Sequence, residues 1–132
     1  MAENTKPNSV VDASFVLNYL FPDEKMPAGD NIFKNATKNN HHLISTTLLP
    51  YEVINGLKSA VLRKRHPENK AKILAKNFQN LPIKLVAPNI SSCLSLALKH
   101  QLSVYDASYL QLAIEKNCPL LTLDKKLNQL TS

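Results

Sequence analysis

A chain of 132 residues, 44% of them hydrophobic, is long enough for one compact domain with a substantial core and too apolar for a disordered segment. Lys and Arg number 16 against 10 Asp and Glu, a formal net charge of +6 that favours a polyanionic partner without naming one. No apolar run reaches the roughly 18 residues of a membrane span, Met1 to Ser9 lacks the apolar stretch of a secretory signal, and Cys93 and Cys118 have no CxxC spacing. The expectation is therefore a cytoplasmic single domain over 1–132, with residues 1–8 flexible.

Ser9-Val10-Val11-Asp12 reads as a short buried strand, followed by an apolar helix from Phe15 to Phe21 with Ser14 as its cap and Pro22 as its stop. Asp30 can cap a second helix through Ile32, Phe33 and Ala36, ending at Asn39-Asn40. Leu43-Ile44-Ser45-Thr46 is the next strand, and Thr47 can cap a helix with Leu49, Val53, Leu57 and Val61 on one face. Arg63-Lys64-Arg65 suit the negative end of that helix. A helix from Glu68 to about Asn80 leads to a strand over Ile83–Val86, closed by Pro88. Ser91 or Ser92 opens the next helix and Ser103 the one after. Pro119–Leu123 is a fourth strand, and Lys125–Leu130 a last helical turn. Strands alternating with helices argue for a parallel sheet covered on both faces.

Six acids lie in polar stretches: Glu3, Asp23, Glu24, Asp30, Glu68 and Glu115. Four are set among apolar neighbours: Asp12, Glu52, Asp106 and Asp124. A carboxylate there is costly to desolvate unless something compensates it. Asp12 and Asp124 end strands, while Asp106 and Glu52 lie near helix starts. All four can therefore meet in the crevice at the C-terminal edge of an open parallel sheet. Such a cluster shares a proton or holds a cation, and hard oxygen ligands select Mg²⁺ or Mn²⁺. Each acid also has a plainer role open to it. Asp12 or Asp106 can cap its helix, Glu52 can serve a helix dipole, and Asp124 can sit in an ordinary turn.

Gly29 and Gly56 are the only glycines, so neither a GxGxxG fingerprint nor a P-loop can be built, and no GxSxG elbow is present. A phosphoacceptor domain would want an Asp ending a central strand, and the two middle strands end without one. His41-His42 fit a solvated loop better than a metal site.

The segments Val10-Val11-Asp12-Ala13-Ser14, Glu52-Val53-Ile54-Asn55, Tyr105-Asp106-Ala107-Ser108-Tyr109 and Leu121-Thr122-Leu123-Asp124, in this order, resemble the motifs of PIN domains. More narrowly, they resemble the VapC-type toxins of prokaryotic toxin–antitoxin pairs. The likeness runs from about Ser9 to Leu127. It implies a three-layer α/β/α fold around a parallel sheet of four or five strands. It also implies Mg²⁺- or Mn²⁺-dependent hydrolysis of RNA, with Asp12, Glu52, Asp106 and Asp124 as the catalytic and metal-binding acids. Ser14 and Thr122 match hydroxyl positions that orient a carboxylate or water, and Asn55, one turn beyond Glu52, can face the same pocket. An RNA substrate, a cognate antitoxin protein and a homodimer are implied as partners. Arg63, Lys64, Arg65, Lys125 and Lys126 can contact RNA phosphates, with solvated helix ends as the plainer alternative. The chain stops soon after Asp124, where relatives continue into a closing edge strand, leaving that strand short or absent. The competing reading is a catalytically inactive PIN-like module that binds RNA or protein.

Overall fold

The computed structural model describes residues 8–24 and 26–131. In chain order these form β1 (Asn8–Val11), α1 (Ala13–Leu20), α2 (Pro27–Thr37), β2 (His42–Thr46), α3 (Leu49–Leu62), α4 (Glu68–Gln79), β3 (Ile83–Val86), α5 (Ile90–His100), α6 (Val104–Lys116), β4 (Leu120–Leu121) and α7 (Lys125–Thr131). The strands make one parallel sheet in the order β3-β2-β1-β4. The parallel sheet and its helical flanks are those expected, with four strands rather than five.

β1 and β2 run through the middle because their residues are apolar on both faces. Val10, Val11, Leu43 and Ile44 are all buried, as central parallel strands require. Ser45 is buried too, and its hydroxyl donates to the Val11 carbonyl at 2.6 Å, so no polar group is stranded between the strands. β3, at one edge, exposes Lys84 and Leu85. α6 lies across β1 and β2 with α5 along it, while α1, α3 and α4 pack on one another as a second helical group. Gly56 permits the close approach of α3 to α1, since a Cβ there would stand 2.5 Å from Leu17 Cδ1. Among the described residues, no helix is long and apolar enough to cross a membrane.

Several boundaries differ from the sequence reading, each for a local reason. Asp12, not Ser14, caps α1: its carboxylate accepts from the Phe15 amide at 2.9 Å, and Ser14 becomes a helical residue that donates to it. α2 starts earlier than Asp30 because Pro27 suits a first helical position, which leaves Asp30 in the first turn. Thr47 does not cap α3. The cap position is Leu48, whose amide donates to Thr46 Oγ1 at 3.2 Å. Asn89 caps α5 in place of Ser91 or Ser92, accepting from the Ser92 amide at 3.0 Å. Ser103 caps α6 as expected. β4 is two residues long instead of spanning Pro119–Leu123, because Thr122 and Asp124 turn the chain into α7. Of the segment expected to be flexible, Asn8 is the first residue of β1, and residues 1–7 lie outside the described residues.

Candidate functional site

Parallel strands deliver their C-terminal ends to one edge of the sheet, and the helices that follow begin there. Asp12 occupies the cap position of α1, and Asp124 is in the capping position of α7, accepting from the Leu127 amide at 3.0 Å. Glu52 and Asp106 are in the first turns of α3 and α6. The four acids singled out from the sequence thus sit at the N-termini of four helices. The positive dipole ends there offset part of their mutual repulsion. For Asp12 and Asp124, the plain capping role and membership of the cluster hold together.

Asp12 is the most enclosed, at 3% exposure. Its Oδ1 accepts from Ser14 Oγ at 2.7 Å and from the Phe15 amide, and its Oδ2 accepts from the Thr122 hydroxyl. A carboxylate offers about four lone-pair directions, so roughly one remains, on Oδ2. Burial pushes the Asp12 carboxyl above its ordinary value. The Thr122, Phe15 and Ser14 donors pull it down, and the charge of Asp106 adds to the rise. Glu52 is half-buried. Its Oε1 accepts from Tyr109 OH at 2.6 Å. Burial again raises its carboxyl, Tyr109 opposes, and the charges of Asp106 and Asp12 raise it further. Asp106 is raised by burial and by Asp124, against the nearby Ser103 hydroxyl. The four helix starts lie at one edge of the sheet, and the repulsions run in the same sense from Asp12 to Glu52, Asp106 and Asp124.

Thr122 ties the group together. Besides donating to Asp12, its hydroxyl accepts from the Asp124 amide at 3.0 Å and lies 3.4 Å from Ser14 Oγ. Ser14 Oγ in turn accepts from the Leu123 amide at 2.9 Å. Both hydroxyl residues expected beside the acids are there. Asn55 is exposed and makes no hydrogen bond to this network among the described residues. Three residues escaped the sequence reading of the site. Tyr109 is almost fully buried, and burial with its bond to Glu52 holds the phenol well above its ordinary value, so it stays a donor. Ser108 Oγ donates to the Tyr105 carbonyl at 2.6 Å and lies 3.3 Å from Thr46 Oγ1, joining α6 to the end of β2. The i+3 spacing of Tyr109 from Asp106 was the available signal for the first. Nothing local marked Thr46.

The basic residues divide. Lys125 and Lys126 follow Asp124 directly, and Lys126 Nζ donates to the Gln101 carbonyl at 3.1 Å. Arg63, Lys64 and Arg65 stand at the other end of α3, eleven residues and hence about 16 Å along the axis from Glu52. Arg65 there pairs with Glu24 and lies 5.2 Å from the centre of the Phe21 ring.

Among the described residues, no salt bridge neutralises any of the four acids, and no three carboxylates, imidazoles or thiols stand close enough to form a closed metal cage. An all-oxygen, net-negative, open donor set fits Mg²⁺ or Mn²⁺. Mg²⁺ keeps several waters and takes one or two carboxylates together with substrate phosphate oxygens. One consequence is measurable without substrate. With three carboxyls raised above their unfolded values of 3.8 and 4.5, the folded protein binds the extra protons, so their contribution favours folding least above the raised values. Metal-free protein should lose stability relative to Asp12→Asn as pH rises from about 4 to 7, and Mn²⁺ should close the gap. Melting curves across that range check this. A gap that stays constant with pH would contradict it.

A family model described as the PIN domain matches residues 9–131. Ribonuclease VapC3 of Pyrobaculum aerophilum is 33% identical over 122 residues, covering 89% of this chain and 90% of the relative. The crystal structure of PAE2754 from Pyrobaculum aerophilum superposes with a TM-score of 0.76 at 24% identity, over 96% of this chain and 88% of that one. The structure of VapC20 of Mycobacterium tuberculosis, described as a Sarcin-Ricin loop cleaving toxin, gives 0.65 at 12% identity, over 92% and 94%. At these identities the two structures speak for the three-layer fold alone.

Proposed function

The chain belongs to the PIN-domain family, and on that premise we propose that it is a divalent-metal-dependent endoribonuclease, the toxin of a type II toxin–antitoxin pair. The observation that carries this is the meeting of Asp12, Glu52, Asp106 and Asp124 at four helix N-termini without a neutralising cation among the described residues. The 33% identity to Ribonuclease VapC3 gives that cluster its substrate class.

Bound there, Mg²⁺ or Mn²⁺ would supply charge neutralisation for the phosphodiester and a lowered pKa for water. The chain's own groups do the positioning. Ser14 and Thr122 hold the Asp12 carboxylate with Oδ2 left partly free, and Tyr109 fixes Glu52 through Oε1. A carboxyl raised by burial is a better base than an exposed one. Asp12 is closed in by its three donors, so one of the partly exposed acids, Glu52 or Asp106, would accept the proton lost by the attacking water. The water oxygen bonds to phosphorus as the P–O bond of the leaving nucleotide breaks. Lys125, beside Asp124, would meet a backbone phosphate, and Lys126 would do so on releasing the Gln101 carbonyl to which it donates. As a toxin the chain would be held in check by a cognate antitoxin protein covering the acids with a basic side chain, and it would act in the cytoplasm as a homodimer.

The test is incubation of the purified protein with total RNA, with and without Mn²⁺, followed by mapping of new ends. New ends that need the metal and vanish with a chelator are expected. RNA binding that weakens with salt, with no metal-dependent ends, would instead identify a non-catalytic module.

A further inference from the structure

The chain holds four Tyr, four Phe and no Trp. Folding puts away six of these eight rings. Phe15, Phe21, Phe33, Phe78 and Tyr109 are buried, and Tyr19 is half-buried, stacked on Phe33 with 4.1 Å between ring centres. Two are left in water: Tyr51 at 75% exposure and Tyr105 at 50%. Neither stacks on another ring among the described residues. Their positions are not scattered. Tyr51 immediately precedes Glu52 in the first turn of α3, and Tyr105 immediately precedes Asp106 in the first turn of α6. α3 and α6 begin at the same edge of the parallel sheet, so the two exposed tyrosines are chain neighbours of one pair of acids there, and those acids feel each other's charge.

An aromatic ring left in water forgoes a large burial gain, and nothing in the packing of α3 or α6 requires either one. With the scissile phosphate engaged at the acids through a bound cation, the uncharged nucleobases on either side of it are the parts of the ligand that can reach these rings. A nucleobase offers an apolar π-face of tyrosine size, and base–aromatic stacking tolerates any sequence. A base held in a duplex is already stacked and cannot present that face.

We propose that Tyr51 and Tyr105 are stacking residues that hold two unpaired nucleobases flanking the scissile phosphate. This rests on the ribonuclease reading above. Both positions are exposed, and Ala is the better helix former, so alanine variants should fold.

The probe is a single-stranded RNA oligonucleotide carrying one mapped cleavage position, compared with the same strand annealed to its complement, in Mn²⁺. Tyr51→Ala and Tyr105→Ala should each raise KM on the single strand roughly tenfold, while the phenylalanine variants stay within about twofold of wild type. The salt dependence of binding should not change, since no phosphate contact is lost. An abasic nucleotide next to the cleaved bond should erase the difference between wild type and the matching alanine variant. Alanine variants with wild-type KM, or an equal penalty on the annealed duplex, would overturn the stacking role and leave the nuclease reading standing. Normal RNA cleavage with lost binding to the antitoxin protein would reassign the tyrosines to a protein contact. Absence of any cleavage by the wild-type protein would overturn both.

Discussion

Asp12→Asn is expected to lower RNA cleavage at least about 100-fold, since even residues one step removed from a metal cost 10–100-fold when lost. The fold should survive. Asparagine keeps an Oδ1 that can accept from the Phe15 amide and the Ser14 hydroxyl, so α1 keeps its cap. The Thr122 hydroxyl, which donates to Oδ2 in the native protein, can rotate and accept from the new amide. What disappears is a buried negative charge and its repulsion with Asp106 and Glu52. The metal-free variant should therefore melt no lower than wild type at pH 7, and its melting point should no longer rise with Mn²⁺. Cleavage at the wild-type rate would remove Asp12 from the site. Loss of the fold would mean that the cap, and not the charge, was its main contribution.

Thr122→Val carries the second large effect. Valine keeps the shape of the side chain but removes both the donor to Asp12 and the acceptor of the Asp124 amide. The Asp12 carboxylate then has one anchor fewer, and a partly buried amide is left unpaired at a cost of about 1–3 kcal/mol. Mn²⁺ affinity and cleavage should fall about 10–100-fold together, and Thr122→Ser should recover most of both. A calorimetric Mn²⁺ titration beside the cleavage assay reads this. A valine variant that binds metal like wild type would show that the hydroxyl serves only the turn into α7.

The carboxylates were legible because charge inside an apolar segment is rare and chemically expensive, and because helix starts and strand ends share one edge of a parallel sheet. β1, β2 and β3 were legible for a related reason: short apolar runs bounded by Pro or polar residues. The caps were harder to read. Ser14, Thr47, Ser91 and Ser92 all have suitable side chains, but caps are decided by where the backbone turns, and Asp12, Leu48 and Asn89 hold those places. The Tyr109–Glu52 bond joins residues 57 apart, and the Thr46–Ser108 bond joins residues 62 apart. No local pattern carries either, because each exists only once α6 is laid across the sheet. Asn55, one turn beyond Glu52, is exposed, and exposure fits both a helix amide in solvent and a residue at the rim of an open site, so spacing alone did not decide its role.

The shortness of β4 has a consequence for how the site is held. Its two residues hold the last stretch of chain to the sheet through few backbone bonds, among them Val10 N to Pro119 O at 2.9 Å and Asp12 N to Leu121 O at 3.2 Å. Thr122 and Asp124 lie just beyond it, between that pairing and Leu127, which α7 buries in the core, so both are held by the packing of the 119–131 segment as a unit. A cation held by Asp124 together with the other acids would add to what fastens that segment, so that loading the ion would stabilise the turn into α7 as well.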